Sequence, residues 1–400
     1  MSREPLELRQ ADYVVPADAA NWQKRSLVVG VAGAVLCVIG LIISPQQLLR
    51  GYLIGYMFWY GLTVGCLALV MLQFLTGGLA FLVVRRVAEA AVKGLPLMFA
   101  LFLPILLGRH YLYDWMNDPT LTITLRNHWY LNTPGWIIRW LVYFAIWGLF
   151  AYVITKRGDT QDQALDVQPR FQGICGFGLV LYALTVSFAS FDWVMSLDPH
   201  WGSTIYGLIF IAGQGLSVLS FCVVMLTILT RYRPYHEIVK PMQFHDIGKL
   251  MLAFVMLWAY FSFSQWLIIW SGNLPEEIGW FLNRIRGGWG VVAVIIILFH
   301  FALPFALLLS RERKRAGRRL IGLAIFLMFM RMVDIYWYVV PNFAHERGHF
   351  YFSIWYVIAP LAIGGLWLSY FFRNFRQRPL LPAYEPQMPL LLSQGSGHGH

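Results

Sequence analysis

The chain has 400 residues, of which 58% are hydrophobic and only 13% are charged, and its mean hydropathy is +0.58. This composition excludes an ordinary soluble domain of the same length and indicates a membrane protein. The net charge of +11 raises the question of nucleic acid, but the placement of the basic residues argues against that class of ligand.

Ten apolar segments follow one another along the sequence, and each is long enough to cross a hydrocarbon core of about 30 Å as a helix. The first follows about twenty-five residues of mixed charge, so we expect a retained span rather than a cleaved signal peptide. The sequence therefore predicts an all-α polytopic membrane protein with about ten transmembrane helices. We expect a segment at 1–25, a transmembrane domain at 26–372 and a C-terminal tail at 373–400, which its Pro-rich and Gly/His-rich composition predicts to be extended. The predicted helices are 26–44, 52–76, 89–108, 136–155, 174–195, 204–229, 246–270, 288–309, 319–340 and 350–372.

The basic residues are divided unequally between the two sides of this predicted bundle. Of the 31 lysine and arginine residues, 21 fall on the side that carries both termini, 6 fall on the opposite side and 4 lie within the segments. The positive-inside rule therefore predicts that both termini are cytoplasmic. The basic run at 311–319 then fixes topology and is not a nucleic-acid patch. Most tryptophans fall at the predicted outer ends, as in an interfacial aromatic belt.

The cysteine and histidine residues argue against a bound redox cofactor. The four cysteines lie in four different apolar segments and form no C-x-x-C motif, whereas iron–sulfur clusters and c-type haems need grouped cysteines. A membrane b-type haem needs two histidines at depth on facing helices, and only His300 lies well inside a segment. We therefore expect this chain alone to hold no metal or haem.

The first group of ionisable residues ends the fifth segment, in SFASFDWVMSLDPHWGST at 187–204. Asp192, Asp198 and His200 occur here among apolar and aromatic neighbours, at the predicted outer surface. A carboxylate and an imidazole in an aromatic pocket can accept protons from a quinol hydroxyl or release them outward. The alternative interpretation is a capped, solvated helix end.

The second group opens the seventh segment at the predicted inner surface, in the motif FHDIGK. His245, Asp246 and Lys249 can share one helix face, and Tyr260 lies eleven residues beyond Lys249, close to three full turns. One interpretation is a proton entry point that continues along this face. In the other, Asp246 caps the helix and Lys249 extends its amine to the interface.

The third group lies deep in the eighth and ninth segments. At 1.5 Å per residue, Asp334, Arg331 and His300 are about 9, 14 and 18 Å below the outer edge. Consecutive helices are usually neighbours, so the three side chains can form one polar ladder. Such groups mark cavities or proton relays. The alternatives are a neutralised i, i+3 ion pair and a histidine that is hydrogen-bonded to a neighbouring helix.

Four motifs, in this order, carry a resemblance to a known family: FDWVMSLDPHWGSTIYG (191–207), FHDIGKLMLAFVMLWAY (244–260), LFHFALPFALLLSR (298–311) and RMVDIYWYVVP (331–341). Together they resemble the ActF-type membrane subunit of Alternative Complex III, a bacterial quinol:acceptor oxidoreductase. That family is similar to the quinone-interacting membrane subunits of the NrfD/polysulfide-reductase type. The motifs cover the fifth to ninth segments, and the ten-helix layout extends the resemblance over nearly the whole chain.

The resemblance implies two four-helix bundles with two additional peripheral helices, in the bacterial inner membrane. It implies an auxiliary subunit that provides a proton path, coupled to quinol oxidation in a paralogous subunit, and a quinone or menaquinone pocket. The expected partners are that paralogue, an iron–sulfur protein, multihaem cytochromes c and small single-span subunits, in which haem c and the clusters reside. The implied relay places Asp246 and Lys249 inward, His300 centrally, and Arg331, Asp334, Asp192 and His200 outward.

Two other functions remain open at this point. A secondary transporter favours paired discontinuous helices at matching places in two halves, and no convincing pair is found. A passive scaffold subunit would use the buried charges only to lock helix packing.

Overall fold

A computed structural model describes residues 14–117, 128–161, 169–343, 349–381 and 387–391. The structure is 83% helical, and no β-strand occurs within these ranges. Ten helices in the described ranges are long and apolar enough to cross a membrane, which agrees with the predicted all-α polytopic class. They are α1 Asp18–Ile43, α2 Pro45–Thr76, α3 Arg85–Leu107, α4 Thr133–Asp159, α5 Phe171–Leu197, α6 Tyr206–Leu229, α7 Pro241–Gly272, α8 Trp289–Leu309, α9 Gly317–Asn342 and α10 Trp355–Phe375.

Each predicted segment coincides with one of these helices, but several helices begin earlier than hydropathy predicts. α1 begins at Asp18 rather than near residue 26, and α7 begins at Pro241 rather than at residue 246. A proline suits the first turn because its missing N–H would have no partner there. α7 ends at Gly272 and is followed by Asn273, whose left-handed backbone is a common helix terminator. Polar first turns lie outside an apolar window, so hydropathy alone misses them.

The helices pack around α2 and α6, which are the most buried of the ten and contact each other. α2 contacts α3, α4 and α5, and α4 contacts α5. α6 contacts α7 and α9, and α8 contacts both α7 and α9. α7 and α8 expose most of their surface on the outside of the molecule. Polar groups on α8 and α9 therefore lie between a buried core and a surface that is suited to lipid.

α1 is held against α10 by a contact between small residues. A Cβ atom at Gly30 would lie 2.5 Å from the backbone nitrogen of Leu366, and one at Gly33 would lie 2.7 Å from Cβ of Ala362. Small residues let two backbones approach closely where no hydrophobic effect drives helices together. The opposite side of α1 is exposed and apolar.

The C-terminal region, expected to be extended, buries some of its described residues. α10 continues to Phe375 instead of ending at residue 372. Leu380 and Leu381 are buried, and so are Met388 and Leu391 in the short segment 387–391. Residues 1–13 of the N-terminal segment and 392–400 of the tail lie outside the described ranges.

Candidate functional site

An ion pair between Arg331 and Asp334 lies inside the second half of the helix assembly. Nη1 of Arg331 donates a hydrogen bond to Oδ2 of Asp334, as the i, i+3 spacing predicts. The side chains are only 3% and 1% exposed. Oδ1 of Asp334 has no hydrogen-bond partner in the described part of the chain. The pair is neutral overall but leaves one acceptor open in the interior, where an unpaired polar group costs about 1–3 kcal/mol.

Trp258 connects this ion pair to His300. Nε1 of Trp258 donates to Oδ2 of Asp334 at 3.2 Å, and its ring meets the His300 ring edge-on at a centroid distance of 4.6 Å. His300 is fully buried, and neither ring nitrogen has a hydrogen-bond partner among the described residues. His300 lies in a π-helical segment, Ile297–Ala302, and π-helical distortions are frequent at functional sites. The structure therefore brings His300, Arg331 and Asp334 into one region, with Trp258 between them.

A groove of about 640 Å³ opens beside Asp334. This volume lies within the range of about 300–1,000 Å³ that is usual for ligand pockets. Its walls are α7, α8, α9 and the short helix Pro275–Ile285. Among the described residues that line it, Asp334 is the only charged one, and the others are almost wholly aliphatic and aromatic. Phe263 and Ile297 are 58% and 57% exposed, so the groove faces the bilayer interior when the chain spans a membrane.

The predicted ladder along α7 lies on the outside of the helix assembly and not within it. Tyr260 lines the rim of the groove and is 63% exposed. Lys249 donates a hydrogen bond to Oδ1 of Asp246 at 3.1 Å, and both side chains are partly exposed. An exposed pair of this kind contributes about 0.2–1 kcal/mol. Lys249 and Tyr260 do share one face, as their spacing predicts, but this face points outward.

The start of α7 also differs from the capping that the sequence predicted for Asp246. The helix begins at Pro241, and Oε1 of Gln243 accepts a hydrogen bond from the backbone N–H of Lys240 at 2.8 Å. Asp246 therefore lies beyond the first turn and does not cap the helix. His245 is buried, and its Nδ1 has no partner within the described ranges.

Lys314 adds a positive charge to this end of the bundle. Its side chain packs against Gly248, and the residue is buried. Burial lowers the pKa of Lys314, and the neighbouring charge of Lys249 lowers it further, because both disfavour the ammonium form. The predicted proton entry point is thus surrounded by cations as well as by Asp246.

Asp192 is sealed at the far end of α5 by residues of α4. Arg139 binds both carboxylate oxygens, with Nη2–Oδ1 at 2.8 Å and Nε–Oδ2 at 2.9 Å. The hydroxyl of Tyr143 donates to Oδ2 at 2.7 Å. Asp192 is 0% exposed. Its charge is therefore compensated within the protein.

Asp198 and His200 have quite different surroundings from Asp192. Asp198 follows the end of α5 and is partly exposed, and His200 is exposed. None of Asp192, Asp198 and His200 lines the groove beside Asp334. The sequence grouped these three residues as a quinone pocket, whereas the large cavity lies beside residues assigned to proton transfer.

Two tyrosines lie close to the Asp192 site. The guanidinium of Arg139 lies 3.9 Å from the ring centre of Tyr130, and Tyr113 donates to the backbone oxygen of Trp193 at 2.9 Å. Burial raises the pKa of both tyrosines, and the Asp192 carboxylate raises it further. Both phenols therefore stay protonated and can act as hydrogen-bond donors at neutral pH.

Two functional candidates escaped the sequence analysis although each left a signal. Arg139 lies three residues after the start of its predicted segment, and Asp192 lies three residues before the end of the next one, so their depths match. Trp258 lies in the interior of its segment, unlike most tryptophans of the chain, which cluster at segment ends. The matching depth of Arg139 and Asp192 could have identified Arg139, and the interior position of Trp258 could have identified that tryptophan.

Comparisons with known proteins add no relative to this description. No protein-family model matches the chain, and no curated protein matches it. Within the described ranges, no group of three or more His, Cys, Asp or Glu side chains could hold a metal ion. Cys37, Cys66, Cys175 and Cys222 are free and buried.

Proposed function

We propose that this chain is a membrane subunit of a quinol:acceptor oxidoreductase of the Alternative Complex III type, in which it transfers protons. One observation carries the proposal: a buried carboxylate, Asp334, has one oxygen held by Arg331 and Trp258 and the other unpartnered at the wall of a lipid-facing groove. Buried ionisable groups in a membrane span are costly and usually serve transport of a charge or a proton.

The arrangement suits proton exchange at Asp334. Oδ1 is a free acceptor, and Arg331 keeps a positive charge next to the carboxylate in either protonation state. His300 carries two further unpartnered nitrogens on the other side of Trp258. A buried water that bridges polar groups can complete such a path, because waters fill interior sites with several unsatisfied partners. In the proposal, His300 is the central member and Asp334 exchanges protons with the groove.

The groove is also the best candidate for the quinone-facing pocket. A quinol headgroup is a flat ring with hydroxyl donors, and its isoprenoid tail belongs in hydrocarbon. The groove offers aromatic walls from Trp258, Trp337 and Tyr338 and a free acceptor on Asp334. A hydrocarbon chain alone would leave that acceptor unsatisfied. We therefore assign the headgroup to this groove in preference to the surroundings of Asp192.

The helix contacts support the architecture that belongs to this proposal. Within α2–α5 and within α6–α9 each helix contacts at least two others of its set, whereas α1 packs chiefly on α10, and α10 packs on α1 and α2. This pattern fits two four-helix bundles with two peripheral helices. Both termini lie on the lysine- and arginine-rich side in the proposal, facing the bacterial cytoplasm. Iron–sulfur and multihaem cytochrome c partners would supply the redox centres.

The proposal is tested with Asp334→Asn in the complex purified from its native host and reconstituted in liposomes. Quinol-driven acidification should be lost, while haem and iron–sulfur spectra stay those of the parent complex. Asp114→Asn serves as the control, because that carboxylate is exposed and does not belong to the proposed proton path. Undiminished proton transfer in Asp334→Asn would contradict the proposal. Solute counterflow by this chain alone in liposomes would instead identify a transporter.

A further inference from the structure

Two pairs of polar side chains connect α7 and α9 at the groove. Nε1 of Trp258 on α7 donates to Oδ2 of Asp334 on α9 at 3.2 Å. Four residues further along both helices, the hydroxyl group of Tyr338 lies close to that of Ser262. All four side chains belong to the groove lining. The groove therefore offers a second polar position between the same two helices, in addition to Asp334.

The two polar pairs are separated by about one helical turn. Four residues advance a helix by about 6 Å, and the offset is the same on α7 and on α9 because one span lies between them and both cross the membrane in the same direction. The two hydroxyl oxygens of a para-quinol lie at opposite ends of one six-membered ring, so their separation is close to this rise. A ring that lies along the two helices can therefore present one hydroxyl to each pair.

The hydroxyl group of Ser262 is available to a ligand. Hydroxyls within helices often donate to the backbone oxygen four residues earlier, as those of Ser187, Ser217 and Thr227 do in this chain. Oγ of Ser262 is buried and forms no hydrogen bond of normal geometry with the described residues, the nearby hydroxyl of Tyr338 included. A polar group that is removed from water without a partner is costly, so a ligand that supplies one is favoured here.

We propose that the groove holds a para-quinol headgroup at two points: one hydroxyl donates to Oδ1 of Asp334, and the other is hydrogen-bonded to the hydroxyls of Ser262 and Tyr338. The inference rests on the proposed function, which assigns a quinol headgroup to this groove. A carboxylate only accepts hydrogen bonds, whereas the hydroxyls of serine and tyrosine both donate and accept. Ser262 and Tyr338 are therefore the residues that recognise the second oxygen of the ring and its para position.

Helix packing alone gives a different expectation for Ser262 and Tyr338. If their hydroxyls only fasten α7 to α9, removing one of them weakens the fold and lowers the affinity for every ligand of the groove alike. If they contact the second hydroxyl of the headgroup, their removal lowers the affinity only for ligands that carry that hydroxyl. The ratio of two affinities measured on the same variant separates the two cases, because a general loss of affinity cancels in it.

The test uses three ligands of similar shape: menadiol has two para hydroxyls, methylnaphthol has one and methylnaphthalene has none. Isothermal titration calorimetry gives the Kd of each for the full chain in nonionic detergent without oxygen. Menadiol should bind the parent about five- to tenfold more tightly than methylnaphthol, the usual effect of one hydrogen bond. Ser262→Ala and Tyr338→Phe should reduce this ratio to less than about twofold. Ser262→Thr, which keeps a hydroxyl, and Ser264→Ala, on α7 outside the groove lining, should preserve it.

The same measurements distinguish a failure of this inference from a failure of the proposed function. Equal affinities of the parent for menadiol and methylnaphthol, with weaker binding of methylnaphthalene, would overturn the two-point contact and leave the headgroup in the groove. An unchanged ratio in both Ser262→Ala and Tyr338→Phe would do the same. Equal affinities for all three ligands, or menadiol binding that Ala293→Phe in the groove lining leaves unchanged, would overturn the quinol site itself.

Discussion

The guanidinium group of Arg331 lies directly against Gly213 of α6. A Cβ atom at position 213 would be 2.2 Å from Cζ of Arg331, and the ring centre of Phe210 is 5.1 Å from the same atom. α6 thus determines where the positive charge beside Asp334 can lie. The ion pair of α9 depends on the absence of a side chain on a different helix.

Gly213→Ala should therefore displace Arg331 and uncouple it from Asp334. Breaking a buried ion pair costs about 3–5 kcal/mol, and we expect a loss of unfolding free energy of that order together with a loss of proton transfer. Gly322→Ala on α9 is the control, because nothing lies within 4 Å of its Cβ position. It should be neutral or stabilising by up to about 1 kcal/mol. Denaturation in detergent measures both values, and equal stability of the two variants would contradict the prediction.

Ala293→Phe should fill the groove and exclude a quinol headgroup. Ala293 lines the groove, whereas Val291 on the same helix is 64% exposed, so Val291→Phe adds the same ring outside it. An azidoquinone photoprobe should label the peptide around Trp258 in the parent and in Val291→Phe. Labelling should fall by about tenfold or more in Ala293→Phe, equivalent to 1.4 kcal/mol of lost affinity. Unchanged labelling would place the headgroup elsewhere.

His300→Phe should show whether His300 transfers protons or only contributes to helix packing. Phenylalanine keeps the edge-on contact with Trp258, worth about 0.5–1.5 kcal/mol, and removes two buried nitrogens that lack partners. The melting temperature of the complex should stay the same or rise, while quinol-driven acidification should be lost. Retained acidification would assign His300 to packing.

The Arg139–Asp192 pair should contribute far more to stability than the Asp246–Lys249 pair. Arg139→Leu leaves a fully buried carboxylate without its cation, and we expect a loss of about 3–5 kcal/mol of unfolding free energy. The double variant Arg139→Leu/Asp192→Leu should recover most of that loss, because no isolated charge remains. Asp246→Asn should cost less than about 1 kcal/mol. A double-mutant cycle in detergent measures these differences, and a coupling near zero would disprove the argument.

Local patterns in the sequence were enough to predict the ten helices and the Arg331–Asp334 pair. Hydropathy depends on length and composition, and an i, i+3 contact lies within one helix, so neither requires knowledge of how helices pack. The partner of Asp192 is 53 residues away, and the groove is formed by four separate elements. Such contacts depend on the rotation of each helix about its axis. Helices that are apolar on every side, as α5 is, do not specify that rotation.

The groove and the predicted ladder on α7 illustrate the same limit. The spacing of Lys249 and Tyr260 correctly puts both on one face of α7. The helical repeat alone does not say whether that face points toward the other helices. In a soluble helix, the polar side is assigned to water. In a bilayer, an outward tyrosine can lie at a groove or an interface, so the same pattern is compatible with opposite orientations.

The π-helical segment Ile297–Ala302 holds one residue more than a regular turn would need. Because each residue advances an α-helix by about 100°, a chain shortened by one residue here would regain an uninterrupted backbone ladder but would turn the two halves of α8 relative to each other by that angle. The imidazole could then no longer face Trp258 while Trp289 and Leu308 both keep their buried positions. The direction in which His300 points is therefore specified by a single surplus residue in the chain, and chain length within this turn matters as much as the histidine itself.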